Sequence, residues 1–195
     1  MRMDVTCAIL AGGKSRRMGR DKALIPVGDR ALLSRVYAVA EEVFTDILVL
    51  SNLHTHLDKV RAPIVKDVIP RQGPMIGIVS ALLYARTPYV FVLACDMPFL
   101  RKDAIEYVLT AARGEDIVIP KTEKGFEPLH ALYNRSCISP LLSAIERGRM
   151  KIPDIFPLLS VKVVEGKGVF TGQGLSIFTN INTEEDLSRA QSLIG

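Results

Sequence analysis

Short apolar runs alternate with longer segments of helical periodicity, and this alternation is the feature that most constrains the fold. The strongest run, Tyr89–Ala94, is a continuous apolar stretch containing β-branched and aromatic residues. Such a run is typical of a strand buried on both faces of a sheet. Because predicted strands alternate with predicted helices, we expect an α/β fold with a mainly parallel, two-sided sheet.

The other elements follow from the same periodicities, with turn residues marking their ends. The predicted strands are Thr6–Leu10, Asp46–Leu50, Ile64–Val65, Tyr89–Ala94, Asp116–Ile119, Leu129–Tyr133 and Val161–Val164. The predicted helices are Ala31–Val43, Pro74 to about Arg86, Lys102–Ala112, Ser139–Arg147 and Thr183–Leu193. Thr183-x-x-Asp186 resembles a capping box in which Asp replaces the preferred Glu or Gln. The 195 residues contain no repeat and no domain linker, so we expect one domain over residues 1–195.

Composition argues against several classes of protein. The sequence contains no window of eighteen uninterrupted apolar residues, so it predicts no membrane span. Its N-terminus does not resemble a secretory signal. The number of cysteines is odd and their spacing is not paired, as Cys7, Cys95 and Cys137 show. This pattern argues against a disulfide framework and against a zinc site. Because a reducing compartment is the simplest interpretation, we expect a cytoplasmic protein. The three histidines, His54, His56 and His130, do not form a convincing site, and Cys95 lacks a base that would make it a nucleophile.

The net charge of +4 raises the question of nucleic acid, but the cations do not form a long tract. Their densest cluster lies within one glycine-bearing loop and consists of Lys14, Arg16, Arg17, Arg20 and Lys22. This arrangement suits a small polyanion better than a duplex backbone. We therefore expect no nucleic-acid partner.

The loop begins with Gly12 and Gly13 directly after the first strand. Glycines at this place let backbone N–H groups turn toward a ligand, and a nearby cation can neutralise phosphate oxygens. The loop is not a Walker A motif, because that motif's first glycine would fall at Ala8, and its glycines do not have the G-x-G-x-x-G spacing. A solvated surface turn is the alternative, but five cations in eleven residues favour phosphate binding.

Five motifs follow one another along the chain. The first is Leu-Ala-Gly-Gly-x-Ser-x-Arg-Met-Gly-x-Asp-Lys, ending at Lys22. The second is Asp67 with Gly73-Pro74-Met-Ile-Gly77. The remaining three are Ala94-Cys-Asp-Met-Pro98, Glu127-Pro128-Leu129 and Phe178-Thr-Asn-Ile-Asn-Thr183. In this order they resemble the motifs of the molybdenum cofactor guanylyltransferases (the MobA family), with Met75 as a departure from the family's Leu. The resemblance extends from Leu10 to about Leu187 and implies a Rossmann-like, three-layer α/β/α nucleotidyltransferase fold. A nucleotide-binding half would cover about residues 1–115, and a pterin-binding half about residues 116–195.

Asp96 is the predicted metal ligand. It lies just beyond the strand Tyr89–Ala94, at the sheet edge where open α/β sheets bind ligands. Its position suits Mg²⁺, which uses few protein ligands together with substrate phosphates. An N-cap role before the next helix is equally compatible with the sequence, and the resemblance favours the metal.

The resemblance also implies the remaining site. Lys22 would contact the triphosphate, with backbone donors from Gly12 and Gly13 and assistance from Arg17. Leu10, Ala11 and Gly12 would approach the guanine, and Gly12 points to GTP because CTP-using relatives read Leu-Ala-Ala-Gly. The nucleotide contacts would also include Asn52, for which an Asx turn is the alternative, and Asp67. Asn180 and Asn182 would lie near the metal and the pterin, although an asparagine pair capping the last helix is the plainer interpretation. Arg149 is a candidate for the pterin phosphate.

The expected reaction is attack by the terminal phosphate of molybdenum-loaded molybdopterin on the α-phosphate of GTP, with catalysis by Lys22, Asp96, Asn180 and Asn182. Molybdoenzyme-maturation proteins are the expected macromolecular partners. Three alternatives stay open: a molybdopterin enzyme that uses CTP, a sugar-phosphate nucleotidyltransferase, and a non-catalytic carrier of pterin or nucleotide.

Overall fold

Strands and helices alternate along the computed structural model, which describes residues 3–11, 22–51, 60–166, 168–172 and 175–194, without the side chains of residues 172 and 175. The strands are β1 (Val5–Leu10), β2 (Pro26–Val27), β3 (Arg30–Ala31), β4 (Ile47–Leu50), β5 (Ile64–Val65), β6 (Tyr89–Ala94), β7 (Ile117–Thr122), β8 (Gly125–Phe126), β9 (His130–Asn134), β10 (Val161–Val164), β11 (Thr171–Gly172) and β12 (Leu175–Ser176). The helices are α1 (Leu32–Glu41), α2 (Pro74–Tyr84), α3 (Lys102–Ala111), α4 (Ile138–Glu146) and α5 (Glu184–Ile194). Three short 3-10 segments cover Lys22–Leu24, Arg135–Cys137 and Ile152–Leu158.

The main sheet has the strand order β10-β7-β9-β6-β1-β4-β5, and β8 pairs with β7 beside this path. Strand β1 is parallel to both of its neighbours, β4 and β6, and β4 is parallel to β5. Strand β9 runs antiparallel to β6 and to β7. The prediction of a mainly parallel sheet is confirmed, and its second half carries the reversed strand that periodicity did not reveal.

The two faces of the sheet carry separate apolar cores, which is why the strands are apolar at nearly every position. On one face, Phe91 and Leu93 of β6 pack in a cluster with residues of α1 and α3. On the other face, Val90 and Val92 join residues of α2 and α4. The three-layer α/β/α arrangement is therefore produced by the pleat, which directs successive side chains of one strand to opposite helical layers.

Helix α2 begins at the carboxyl edge of the sheet and is buried over most of its surface. Gly73 precedes it with φ of 139°, a value that favours glycine, and Pro74 occupies its first turn. Gly77 faces the end of β1, where an added Cβ would lie 2.8 Å from Leu10 Cδ1. This close approach brings the first turns of α2 against the residues that end β1.

Helix α5 starts with the predicted capping box. The Thr183 hydroxyl accepts a hydrogen bond from the Asp186 N–H at 3.1 Å, and the Asp186 carboxylate accepts one from the Thr183 N–H at 2.9 Å. A third cluster, formed by Ile181 and Ala190 with residues near α1, fixes this C-terminal segment to the core. None of the helices in the described ranges is long and apolar enough to cross a membrane.

Candidate active site

A pocket of about 360 Å³ opens at the carboxyl edge of the sheet, where β1, β4 and β6 end next to α2. This volume is within the range of small-molecule sites. The described residues that line it are Leu10, Ala11, Lys22, Leu50, Asp67, Gln72, Gly73, Pro74, Gly77, Ala94, Cys95, Asp96 and Leu129. The motifs that lie far apart in the sequence thus meet around one cavity.

Backbone hydrogen bonds continue from the strands into the pocket wall. The Ala11 N–H donates to the Leu50 carbonyl at 2.8 Å, and the Cys95 N–H donates to the Leu10 carbonyl at 3.1 Å. The Ala94 N–H donates to the Leu129 carbonyl at 3.1 Å. These bonds satisfy the last strand residues and hold Asp96, one residue beyond Cys95, at a fixed place on the rim.

Three polar side chains from three separate motifs converge at this rim. The Lys22 ammonium lies 3.1 Å from Asp96 Oδ2, and both side chains are largely buried, with 19% and 15% of their surfaces exposed. The same ammonium donates a hydrogen bond to Asn182 Oδ1. The Ile181 N–H donates to the Asp96 carbonyl at 3.2 Å, which links the segment before α5 to the end of β6.

Asp96 Oδ2 and Asn182 Oδ1 both contact one cationic group, the Lys22 ammonium. Oxygen atoms of this kind are also the ligands that Mg²⁺ prefers. The donor set of Asp96 and Asn182 therefore fits a hard divalent cation. Within the described ranges, no group of three His, Cys, Asp or Glu residues is placed to hold a metal. A metal at Asp96 would accordingly take most of its ligands from bound phosphate and water.

Asp67 supplies a second carboxylate, in the wall of the same pocket. Its Oδ1 atom is buried and has no hydrogen-bond partner within the described part of the chain. Burial raises the pKa of Asp67 above its usual value, and the nearby Ser80 hydroxyl acts in the opposite direction. A buried acceptor without a partner is costly, so Asp67 is prepared to accept a hydrogen bond from a ligand.

The structure brings together most of the predicted site residues that it describes. Leu10, Ala11, Lys22, Asp67 and Asp96 line the pocket, and Asn182 reaches it through Lys22. Asn180 and Arg149 are exposed, and neither is among the lining residues. Gly12, Gly13, Arg17 and Asn52, together with His54 and His56, lie outside the described residues.

Sequence reasoning missed several contributors to the site. Gln72 lines the pocket and could have been suspected from its place directly before Gly73-Pro74. Leu50 is an apolar residue at the end of β4, and no pattern distinguishes it from an ordinary core position. Leu129 belongs to the Glu127-Pro128-Leu129 motif, but the motif alone does not place it in the pocket wall. Asp186 was predicted as a helix cap, but its carboxylate also accepts a hydrogen bond from the Asn182 N–H.

His130 belongs to the core of the protein. Its ring is fully buried and makes edge contacts with the rings of Phe91, Phe170 and Phe178. Burial lowers its pKa to about 4, and the Ala104 backbone opposes this shift. The ring is consequently neutral near pH 7.

Known proteins resemble this chain in sequence and in fold. Residues 7–156 match the family described as "MobA-like NTP transferase domain". The chain is 33% identical to a probable molybdenum cofactor guanylyltransferase of Pelotomaculum thermopropionicum, over 97% of this chain and 93% of the relative. It is 34% identical to the molybdenum cofactor guanylyltransferase of Desulfosudis oleivorans, over 97% and 96% of the two chains. The crystal structure of molybdopterin-guanine dinucleotide biosynthesis protein A from Archaeoglobus fulgidus superimposes with a TM-score of 0.82 at 28% identity, covering 97% of this chain and 98% of that one.

Proposed function

Because this chain belongs to the MobA-like NTP transferase family, we propose that it transfers GMP from GTP to molybdenum-loaded molybdopterin. The products would be molybdopterin guanine dinucleotide and pyrophosphate. The chain is a nucleotidyltransferase, and its curated relatives support a role in guanylylation of the molybdenum cofactor. The identity of the two substrates is the part that we propose.

The observation that carries the proposal is the meeting of Lys22, Asp96 and Asn182 at the rim of the pocket. A triphosphate bound there would meet a largely buried ammonium group, which neutralises negative charge more strongly than an exposed one. Asp96 and Asn182 would hold Mg²⁺, which supplies charge neutralisation at the phosphates when bound. The three residues come from three distant motifs, so only the folded chain presents them as one site.

The chemistry asks little of the protein beyond position and charge. The nucleophile would be the terminal phosphate of molybdopterin, which is ionised and needs no general base. It would attack the α-phosphate of GTP in line, forming a new phosphorus–oxygen bond as the bond to pyrophosphate breaks. Lys22 would stabilise the charge that develops on the phosphate oxygens, and the rigid ends of β1 and β6 would hold the reacting groups in register.

Recognition of the nucleotide would use the wall of the pocket. Asp67 presents a buried oxygen without a partner in the described part of the chain, which a donor group of the nucleotide would satisfy. Leu10 and Ala11 would pack against the base. Gly12, whose presence points to GTP over CTP, lies outside the described residues, so the base preference rests on the sequence motif.

The experiment that tests the proposal uses the purified protein with molybdopterin, Mg²⁺ and each NTP labelled at the α-phosphate. We expect label transfer and pyrophosphate release with GTP. Asp96→Asn keeps the size of the side chain and removes the charge, and it should lower turnover on the order of a hundredfold or more. Asp4→Asn makes the same chemical change at an exposed position and serves as the control.

Each outcome of this experiment has a distinct meaning. Transfer from CTP in place of GTP would overturn the base assignment, and transfer to a sugar phosphate would overturn the pterin assignment. Binding without Mg²⁺-dependent pyrophosphate release would indicate a carrier. Normal turnover of GTP by Asp96→Asn would refute the metal site.

A further inference from the structure

The Asp186 carboxylate makes one hydrogen bond more than its helix requires. In a capping box, the acid at this position accepts from the backbone of the N-cap residue, here Thr183. Asp186 Oδ2 accepts that bond at 2.9 Å and also accepts a bond from the Asn182 N–H at 2.9 Å. The second bond reaches one residue farther from the helix and does nothing for the helix end.

The donor of this additional hydrogen bond, Asn182, is also the residue whose side chain contacts Lys22. The backbone before it is already fixed, because Ile181 is buried and its N–H donates to the Asp96 carbonyl. Asp186 in turn accepts hydrogen bonds from the N–H groups of Asn182 and Thr183. The backbone is therefore held both before and after Asn182. Its exposed side chain can then keep Oδ1 against the Lys22 ammonium.

A lysine ammonium needs such fixing. Its four-carbon stem has several rotatable bonds, and ordering it costs conformational entropy. Asp96 alone provides one partner at 3.1 Å, and Asn182 provides the second. Two acceptors restrict the position of the ammonium, whereas a single carboxylate oxygen allows it to move around that oxygen.

We propose that Asp186 is a positioning residue: it holds the Asn182 backbone so that the Asn182 side chain fixes the Lys22 ammonium beside Asp96. The proposal rests on the proposed function only for the meaning of Lys22 as the triphosphate contact. The connection runs from α5 through Asn182 to the pocket. The lowered pKa of Asp186 agrees with this, since the hydrogen bond from the Asn182 backbone is its largest cause.

The chain offers a matched control within the same capping box. Thr183→Ala removes the hydroxyl that accepts from the Asp186 N–H and weakens the helix end, but it leaves the bond to Asn182. Asp186→Ala also weakens the helix end and additionally frees Asn182. Asp186→Glu keeps a carboxylate at this position, in the form that capping boxes prefer, and should therefore rescue the hydrogen bond to Asn182.

The test measures the reactivity of Lys22 directly and needs no substrate. The free protein is treated briefly with an amine-reactive N-hydroxysuccinimide ester, and mass spectrometry gives the labelling of Lys22 relative to exposed Lys151. We expect Asp186→Ala to raise this ratio about tenfold, as for loss of one hydrogen bond to a charged group. Thr183→Ala should leave the labelling ratio unchanged, although it should lower the denaturation midpoint about as much as Asp186→Ala does. Asp186→Glu should return the labelling ratio toward the wild-type value.

Asn182→Ala completes the test, because Asp186→Ala should add nothing in that background. Equal labelling of Lys22 in Asp186→Ala and wild type would overturn the proposal. Equal increases in Asp186→Ala and Thr183→Ala, or an undiminished effect of Asp186→Ala without the Asn182 side chain, would also overturn it. If the labelling follows the expected pattern but wild type does not turn over GTP, the positioning role stands and the proposed function fails.

Discussion

Lowering the pH from 7 to 5 is expected to destabilise this protein through a single buried side chain, His130. The ring is fully buried against three phenylalanines, and neither ring nitrogen has a hydrogen-bond partner by geometry within the described residues. Its pKa is about 4 in the folded protein, against an ordinary value of 6.5. The folded state therefore keeps the ring neutral at a pH where the unfolded chain takes up a proton.

The sign and size follow from this difference in proton uptake. Since the folded pKa is depressed, the unfolded state gains protons as the pH falls below 6.5, and the unfolding free energy decreases until the pH nears 4. Between pH 7 and pH 5 the expected loss from His130 is about 2 kcal/mol. Over the whole window the loss approaches roughly 3 kcal/mol, because a tenfold change in a proton-binding constant corresponds to about 1.4 kcal/mol.

The assay is chemical denaturation of wild type and His130→Leu at both pH values, with His130→Gln as a second neutral variant. Any constant packing cost of the substitution cancels in the difference between the two pH values. The contributions of His54 and His56 to the pH dependence cancel between wild type and variants, because all the proteins contain both residues. Wild type should lose about 2 kcal/mol more than His130→Leu between pH 7 and pH 5. Parallel pH dependence in wild type and both variants would refute the reasoning.

Three further substitutions test the pocket and the core. Burial raises the pKa of Asp67, so its charged form is disfavoured and its contribution to stability falls as the pH rises above the ordinary pKa of 3.8. Asp67→Asn should therefore raise the unfolding free energy at pH 7, yet weaken GTP binding in a titration. Gly77→Ala should leave stability within about 1 kcal/mol of wild type, because gained helix propensity offsets the shift of the Leu10 side chain. The same variant should raise the KM for GTP, and an unchanged KM would show that Leu10 does not shape the pocket. Leu93→Ala, at a fully buried position near the carboxyl end of β6, should lower the unfolding free energy by about 2–5 kcal/mol in denaturant titrations without changing the KM.

Much of the fold was predictable because apolar periodicity is local. Tyr89–Ala94 was predicted as a strand and is β6 with the same bounds, and Pro74 was correctly placed at the start of α2. Boundaries were less accurate where neighbouring pairing decided them. Helix α1 starts at Leu32 because Arg30–Ala31 pairs with Pro26–Val27, and β7 extends to Thr122 because its end pairs with β8.

The antiparallel direction of β9 was not predictable from the run Leu129–Tyr133. A strand buried on both faces is apolar throughout whichever way it runs, so its composition carries no direction. The direction follows from the connection, since β8 and the turn after it return the chain between β6 and β7. Tertiary pairing therefore decided what periodicity left open.

The sequence by itself determined the alternation of strands and helices, the capping box of α5 and the motifs that place this chain in its family, because each of these depends on residues close together in the chain. Only the tertiary structure decided that Lys22, Asp96 and Asn182 form one cluster, that Asp67 carries an oxygen without a partner among the described residues, and that Asp186 holds the Asn182 backbone. These properties depend on distances between residues far apart in the sequence, and such distances are fixed by how the sheet orders its strands and packs its two layers of helices.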